Sequence, residues 1–202
     1  MLNETLWAAG LAATNQCYSI KGISVVAATN ISTTFYNVFS VAFLSVGMAI
    51  GILLGQQLGA GEQHKVKDTA RKAITFSVLV SLVVAAVYAI LAEILPNAYN
   101  TTDEVRRLAV GFMQIAALAM PLEAYVNADY FTLRSGGKTI TTILFDSCFM
   151  WGVVVVVAHC LSNYTTLPVL TIYFICQFLA LIKCMIGGAL VHRGVWIKNL
   201  VA

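Results

Sequence analysis

The chain has 202 residues, of which 59% are apolar and only 10% are charged, and its formal net charge is +3 at pH 7. A soluble domain carries roughly 25% charged residues, so this composition excludes most soluble classes and predicts an all-α protein embedded in a lipid bilayer. The positive charge does not indicate a nucleic-acid partner, because the Lys and Arg residues occupy short loops between apolar runs, with no basic patch beside interleaved aromatic residues.

Six apolar segments follow one another along the chain, and each reaches or approaches the roughly 20 residues that cross a hydrocarbon core of about 30 Å. We predict a polytopic bundle of six transmembrane helices forming one domain over residues 1–202, with the helices at Met1–Ile20, Val25–Leu58, Ala70–Leu95, Val105–Leu133, Thr139–Leu161 and Leu167–Val191. Glu4 would lie below the inner membrane boundary with almost no chain before it. We therefore expect the first helix to be truncated at its N-terminus, in a piece of a longer protein or in a half unit that pairs with another.

Basic residues are divided unevenly between the two sets of loops. One set carries Lys65, Lys67, Arg71, Lys72, Arg134, Lys138, Arg193 and Lys198, and the opposite set carries Lys21, Arg106 and Arg107. Because positively charged loops stay in the cytoplasm, we predict that the first set and both termini are cytoplasmic. The protein is then a multi-pass protein of the inner (plasma) membrane.

Glycine recurs at every fourth residue of the second segment, at Gly47, Gly51, Gly55 and Gly59. In water each of these glycines would weaken a helix by about 1 kcal/mol relative to alanine. In lipid a strip of small residues lets a neighbouring backbone approach closely and gain dispersion contact. The four glycines are therefore predicted to pack this helix against a neighbour.

Asp146 and Lys183 are ionisable residues at membrane depth, where a charge costs several kcal/mol unless it is paired or faces water. Folding the last two helices about the short loop 162–166 brings these two residues opposite each other. We predict a structural ion pair across this hairpin. The alternative is that both residues belong to a path for ions or solutes.

Glu4 and Glu123 lack such a partner, and each lies on a helical face with amide and aromatic side chains. The two faces comprise Trp7, Asn15 and Tyr18 beside Glu4, and Asn127, Tyr130 and Arg134 beside Glu123. Glu123 lies about 16 Å above Arg134 by helical rise, a depth like that of Glu4. Two carboxylates at one level suit binding and release of H⁺ or a monovalent cation, and aromatic rings suit an organic cation. Alternatively, each carboxyl is neutral or hydrogen-bonded within the bundle.

Asp129 lies off the face of Glu123 and close to the inner surface, so we predict that it is solvated or caps a helix. Catalysis finds no support in the sequence, because the three histidines are scattered and HExxH, GxSxG and a Gly-rich phosphate loop are absent. We therefore predict no enzyme activity, no cofactor other than a coupling ion, and no metal other than Na⁺ at Glu4 and Glu123.

Four motifs together resemble the C-terminal half of the multidrug and toxic compound extrusion (MATE) transporters of bacteria. They are NETLWAAG at 3–10, VGMAIGILLGQQLGAG at 46–61, LRSGGKT at 133–139 and RGVWIKNL at 193–200. The resemblance covers nearly the whole chain, which is similar to helices seven to twelve of that family. It implies one six-helix lobe of a twelve-helix antiporter that exports organic cations in exchange for Na⁺ or H⁺. It also implies an N-terminal six-helix lobe, or a second copy, as partner.

Two residues match positions that the family uses for cation coupling. Glu4 matches a glutamate of the seventh helix, and Glu123 matches the place where some bacterial members carry an aspartate in the tenth helix. Glu123 is one methylene longer, which leaves the choice between Na⁺ and H⁺ open. Lys138 stands where the family usually has an acidic residue. The alternative function is a six-helix membrane fragment or interaction module that does not transport.

Overall fold

A computed structural model describes residues 2–137, 142–194 and 196–197 of the chain. These ranges contain six long helices and no strand. The helices are α1 (Leu2–Ser19), α2 (Ile23–Gly59), α3 (Gln63–Leu91), α4 (Asp103–Ser135), α5 (Leu144–Tyr164) and α6 (Val169–Arg193), with a 3₁₀ turn at Leu95–Ala98. The predicted all-α, six-helix membrane fold is confirmed.

Five of these helices, α2 to α6, are long and apolar enough to span a membrane within the described ranges. α1 differs from them, because it has 18 residues and includes Asn3, Glu4 and Asn15. At 1.5 Å per residue it is about 27 Å long, slightly shorter than a hydrocarbon core. The first of the six predicted spanning segments is thus a helix, but the shortest and most polar of the set.

The long helices begin and end close to their predicted bounds, with one exception. α3 begins at Gln63 rather than at Ala70, because the charged run before Ala70 is helical as well. Two ion pairs line this first part of α3, Lys65 with Glu62 at 3.7 Å and Lys72 with Asp68 at 2.6 Å. We call this end of the bundle, where α2 ends and α3 begins, the basic end. The predicted features at Met1, Lys138, Thr139 and Lys198 lie outside the described residues.

α4 is the central helix of the bundle and packs against α2, α3 and α6. Half of the residues in its most apolar stretch of 18 are buried, whereas the corresponding share is 22–28% in the other four spanning helices. Its buried face is rich in small side chains, namely Ala109, Ala116, Ala117, Ala119, Ala124 and Ala128. Because lipid gives no hydrophobic drive between helices, such small residues let neighbours come close and gain dispersion contact. α4 therefore brings side chains of α2, α3 and α6 close to one another.

The glycine strip of α2 packs at two of its four positions. A Cβ atom at Gly47 would lie 1.9 Å from Oδ1 of Asn127, and one at Gly51 would lie 3.2 Å from the Phe131 ring, both on α4. At Gly55 and Gly59 a Cβ atom would meet no heavy atom within 4 Å. Gly55 and Gly59 therefore face away from α4, whereas Leu54 and Leu58 of the same turns are buried with Leu133 of α4. The packing role of Gly55 and Gly59 stays a prediction.

Two of the sequence motifs meet at the basic end. Gly136 of LRSGG lies against the backbone of Trp196 in RGVW, where an added Cβ atom would come within 1.8 Å of the Trp196 carbonyl oxygen. Trp196 is fully buried, and its indole N–H donates to the carbonyl of Val191 at 3.2 Å. Glycine is needed at position 136 because the backbone after α6 crosses the end of α4 at that point.

Candidate functional site

The interior of the bundle contains an ion pair between α5 and α6. Lys183 Nζ lies 2.9 Å from Asp146 Oδ1, and the two side chains are only 13% and 16% exposed. The ammonium also lies 5.2 Å from the ring centre of Phe145 and 5.9 Å from that of Phe149. Two aromatic faces and a carboxylate are the groups that stabilise a cation away from water. The Asp146–Lys183 contact predicted across the hairpin is therefore present.

Asn3 connects this ion pair to α4. Its amide Nδ2 donates to the second Asp146 oxygen at 3.2 Å and to the Tyr130 hydroxyl at 3.2 Å. The Ser147 hydroxyl donates to the Asn3 side-chain oxygen, which fixes the orientation of the amide. One buried side chain at the start of α1 thus joins groups from α4 and α5.

Glu4 lies at the exposed edge of the same cluster, and its side chain is 61% exposed. The Tyr130 hydroxyl donates to Glu4 Oε1 at 3.3 Å, and Arg134 Nη1 approaches the same oxygen at 3.6 Å. Arg134 also donates to the Tyr130 hydroxyl at 3.4 Å. We call the connected set the polar network; its members are Lys183, Asp146, Asn3, Tyr130, Glu4 and Arg134.

The prediction that Glu4 and Glu123 lie at one depth is wrong. Glu4 contacts Tyr130 and Arg134, which follow Glu123 on α4 by about 10 and about 16 Å of helical rise. The helical period assigned each acid to a face, but it did not fix the height of α1 against α4. The two carboxylates therefore do not share one bound ion in this arrangement.

Glu123 is half-buried near the middle of α4, and it makes no hydrogen bond or ion pair of its own among the described residues. It lies in electrostatic range of Lys183, which attracts it, and of Asp146, which repels it. The hydroxyls of Tyr36 on α2 and Tyr173 on α6 are in range as well. Among the described residues Glu123 is thus a carboxylate without a fixed partner, in electrostatic range of an ion pair and two phenols.

The other predicted site residues have different surroundings. Trp7 and Asn15 are exposed on α1, on the side of Glu4. Tyr18 is buried in the core at the opposite end, with its ring 5.7 Å from that of Tyr173. Asn127 is directed at Gly47 on α2, and its Oδ1 atom is buried without a hydrogen-bond partner. Of the seven predicted binding residues, Glu4 and Tyr130 are joined by a hydrogen bond in the described part of the chain, and Glu123 interacts electrostatically with Lys183 and Asp146 of their network.

Asp129 is fully buried, so the prediction of a solvated or capping residue is wrong. Sequence reasoning placed it near a surface because it did not foresee that Gly187 brings the backbone of α6 over it. Sequence reasoning also missed Asn3 and the tyrosines near Glu123. An available signal was the position of Asn3 next to Glu4, and that of Tyr36 within the polar first half of α2.

No group of three or more His, Cys, Asp or Glu residues is arranged to hold a metal ion within the described ranges. The acids of the interior are separated by Lys183 and by apolar side chains. Na⁺ at Glu4 and Glu123 stays a prediction. The local chemistry suits a single positive charge or a proton at one carboxylate better than a multidentate metal centre.

Apolar helices with ionisable groups buried between them are typical of membrane transporters. The sequence model of the MatE family matches residues 5–160, and the chain belongs to that family. It is 25% identical over 130 residues to the probable multidrug resistance protein YoeA of Bacillus subtilis (strain 168), a match that covers 64% of this chain and 28% of YoeA.

Two solved structures have the same fold. A multidrug resistance MATE family transporter of the MOP superfamily, in an outward-facing conformation, matches with a TM-score of 0.78 and 14% identity over 100% of this chain and 45% of its own. A MOP superfamily transporter from Pyrococcus furiosus, described as having a binding pocket of reversed polarity, matches with a TM-score of 0.72 and 14% identity over 99% and 43%. The chain thus spans less than half the length of these proteins.

Proposed function

We propose that this chain is one six-helix lobe of a secondary active antiporter that exports organic cations in exchange for Na⁺ or H⁺. Membership of the MatE family and the names of YoeA and of the MATE structure, both described as multidrug resistance proteins, support export of drugs. The lobe would act with an N-terminal six-helix lobe or a second copy of itself, since the chain covers 43–45% of the two solved transporters. The basic end would face the cytoplasm of the inner membrane.

Glu123 is the residue on which this proposal chiefly depends. A carboxylate at this position, half-buried and without a hydrogen bond or ion pair among the described residues, is free to bind an incoming cation or proton. Lys183 and Asp146 form a pair whose charges cancel, so that Glu123 supplies an uncompensated negative charge beside that pair. This arrangement favours a single monovalent cation per transport cycle.

Glu4 would have a separate role at the exposed edge of the polar network. Its oxygen already accepts from Tyr130 and approaches Arg134, so a cation binding there must compete with an internal positive charge. We infer that Glu4 helps to attract cations to the lobe, with Trp7 and Asn15 on the same exposed side of α1. Its loss should therefore weaken transport less than the loss of Glu123.

Dye efflux from vesicles tests this function directly. The chain is reconstituted with a matching N-terminal lobe into vesicles, and the vesicles are loaded with ethidium. An imposed Na⁺ or pH gradient then drives efflux of the dye. We expect Glu123→Gln to lower the efflux rate at least tenfold, which corresponds to about 1.4 kcal/mol of lost interaction. Glu4→Gln should have a smaller effect.

Glu93→Gln is the matched control, because Glu93 is an exposed glutamate at the end of the bundle opposite the basic end. It should leave efflux unchanged. Equal rates for the wild type and Glu123→Gln would contradict the coupling role. Rates no higher than those of empty vesicles for the wild-type pair of lobes would instead support the non-transporting interaction module.

A further inference from the structure

Asp129 is an acid that the proposed function does not use. It lies in α4 with 0% of its surface exposed, and neither carboxyl oxygen has a hydrogen-bond partner. A Cβ atom added at Gly187 of α6 would lie 2.5 Å from its Oδ2 atom and 2.9 Å from Cζ of Phe145 on α5. The carboxyl group is therefore enclosed between the backbone of α6 and an aromatic ring of α5.

An ionised carboxylate in this enclosure would be costly, because burying an unpaired charge costs several kcal/mol or more. The ammonium of Lys183, one turn from Gly187 on α6, is already paired with Asp146. The titratable groups in electrostatic range of Asp129 are Tyr125 on its own helix and Cys184 on α6, and neither carries a positive charge. On α5, the uncharged Phe145 ring lies against the same position of Gly187.

We propose that Asp129 is an internal proton-binding site of this lobe, distinct from Glu123 and from the polar network. A proton removes the charge and needs no further ligand, whereas a metal cation needs several oxygen atoms around it. In the described part of the chain no group of three or more His, Cys, Asp or Glu residues surrounds Asp129, and neither of its oxygens has a hydrogen-bond partner. The site therefore takes H⁺ rather than Na⁺.

The second part of α6 covers this site. The helix is interrupted at Leu179, so that Ala180–Arg193 forms a segment of its own. That segment carries Gly187 over Asp129 and Gly188 over the Tyr125 hydroxyl, with room for no larger side chain at either position unless a neighbour moves. Displacement of the segment would expose Asp129 to water, where its proton can leave, and its return would require that the acid be protonated again.

The same segment carries Lys183, so its displacement would also change the pairing of Asp146 next to Glu123. Proton loading at Asp129 would in this way be linked to the charge at the proposed cation site. This link rests on the proposed function, whereas proton binding by Asp129 does not.

Infrared spectroscopy of the full chain in lipid vesicles tests the proposal without a second lobe or a substrate. Spectra are recorded across a pH series for the wild type and for Asp129→Asn, which has the shape of the protonated acid. We expect a carboxylic acid C=O band that disappears as the pH rises and that is absent from Asp129→Asn. The band should persist in Glu123→Gln and Glu93→Gln, and it should not change when K⁺ is replaced by Na⁺ at constant pH.

A second variant keeps the test decisive even if Asp129→Asn does not fold. Gly187→Ala adds a methyl group against Oδ2 of Asp129 and should shift the frequency of the band, whereas Gly55→Ala, which meets no neighbour, should not. Spectra of Asp129→Asn and Gly187→Ala identical to that of the wild type would overturn the proposal, as would a band that never titrates. Loss of the band on adding Na⁺ at constant pH would show a Na⁺ site instead. Failure of dye efflux would count against the proposed function alone.

Discussion

Two ion pairs of this lobe have the same chemistry in different surroundings. Arg134 and Glu4 meet at 3.6 Å with side chains that are 55% and 61% exposed, whereas Lys183 and Asp146 meet at 2.9 Å and are 13% and 16% exposed. The exposed charges keep most of their hydration and can change partners at little cost. The interior charges have lost their hydration, so each depends on the other. Depth in the bundle, rather than the type of residue, decides what each pair contributes.

The interior acids themselves differ in how they are compensated. Asp146 has a cation and an amide donor, Glu123 has only electrostatic neighbours, and Asp129 has no partner for either oxygen. The three residues lie around one stretch of α6 that includes Cys184, which interacts electrostatically with both Glu123 and Asp129. Under the proposals above, displacement of this stretch of α6 would change the surroundings of all three acids together.

The largest expected effect comes from breaking the interior pair. Asp146→Asn leaves the Lys183 ammonium without a counter-charge between the rings of Phe145 and Phe149. We expect the free energy of unfolding to fall by about 3 kcal/mol, the usual cost of removing one partner of a buried pair. Denaturant titration of the chain in detergent micelles measures this change.

The double variant Asp146→Asn with Lys183→Met is the control for that experiment. It removes both charges, so most of the lost stability should return, and the coupling energy from the double-mutant cycle should exceed about 1 kcal/mol. A double variant as unstable as the sum of the single variants would show that the two residues act independently. The contrast between the interior and surface pairs would then not hold.

Two glycines, one packed against a neighbouring backbone and one facing open space, give the next contrast, and we expect an intermediate effect on stability. Gly136→Ala should destabilise the chain by about 2 kcal/mol, because the new methyl group meets the backbone of Trp196 and not a side chain that can turn away. Gly55→Ala is the matched control in α2, where no atom lies within 4 Å. It should be neutral or stabilise by up to about 1 kcal/mol through helix propensity.

Thermal unfolding followed by circular dichroism measures both glycine variants. Equal midpoints for Gly136→Ala and the wild type would mean that the chain after α6 does not pack on α4 in solution. If Gly136→Ala lowers the midpoint and Gly55→Ala does not, the tight packing lies at the end of α4 and not along the whole glycine strip.

The sequence was sufficient to predict the helices and the hairpin ion pair, and it failed where two helices had to be aligned. Apolar runs, loop charges and the short loop between α5 and α6 determine which segments are helices and bring Asp146 opposite Lys183. The height of Glu4 depends on how far α1 slides along α4, which no local pattern encodes. The burial of Asp129 depends on Gly187, 58 residues further along the chain, so the composition around Asp129 could not reveal it.

The smallest effect is expected at the surface pair. Glu4→Gln keeps an oxygen that can accept from the Tyr130 hydroxyl and removes only the attraction to Arg134, so the free energy of unfolding should fall by no more than about 1 kcal/mol. Salt should erase this difference, because exposed charges are screened within about 10 Å at 0.1 M ionic strength. The loss caused by Asp146→Asn should persist in the same salt series, since its partner is buried. A loss for Glu4→Gln that is both as large and as resistant to salt would mean that Glu4 is enclosed in the assembled protein, with another lobe covering the side of α1 that is exposed here.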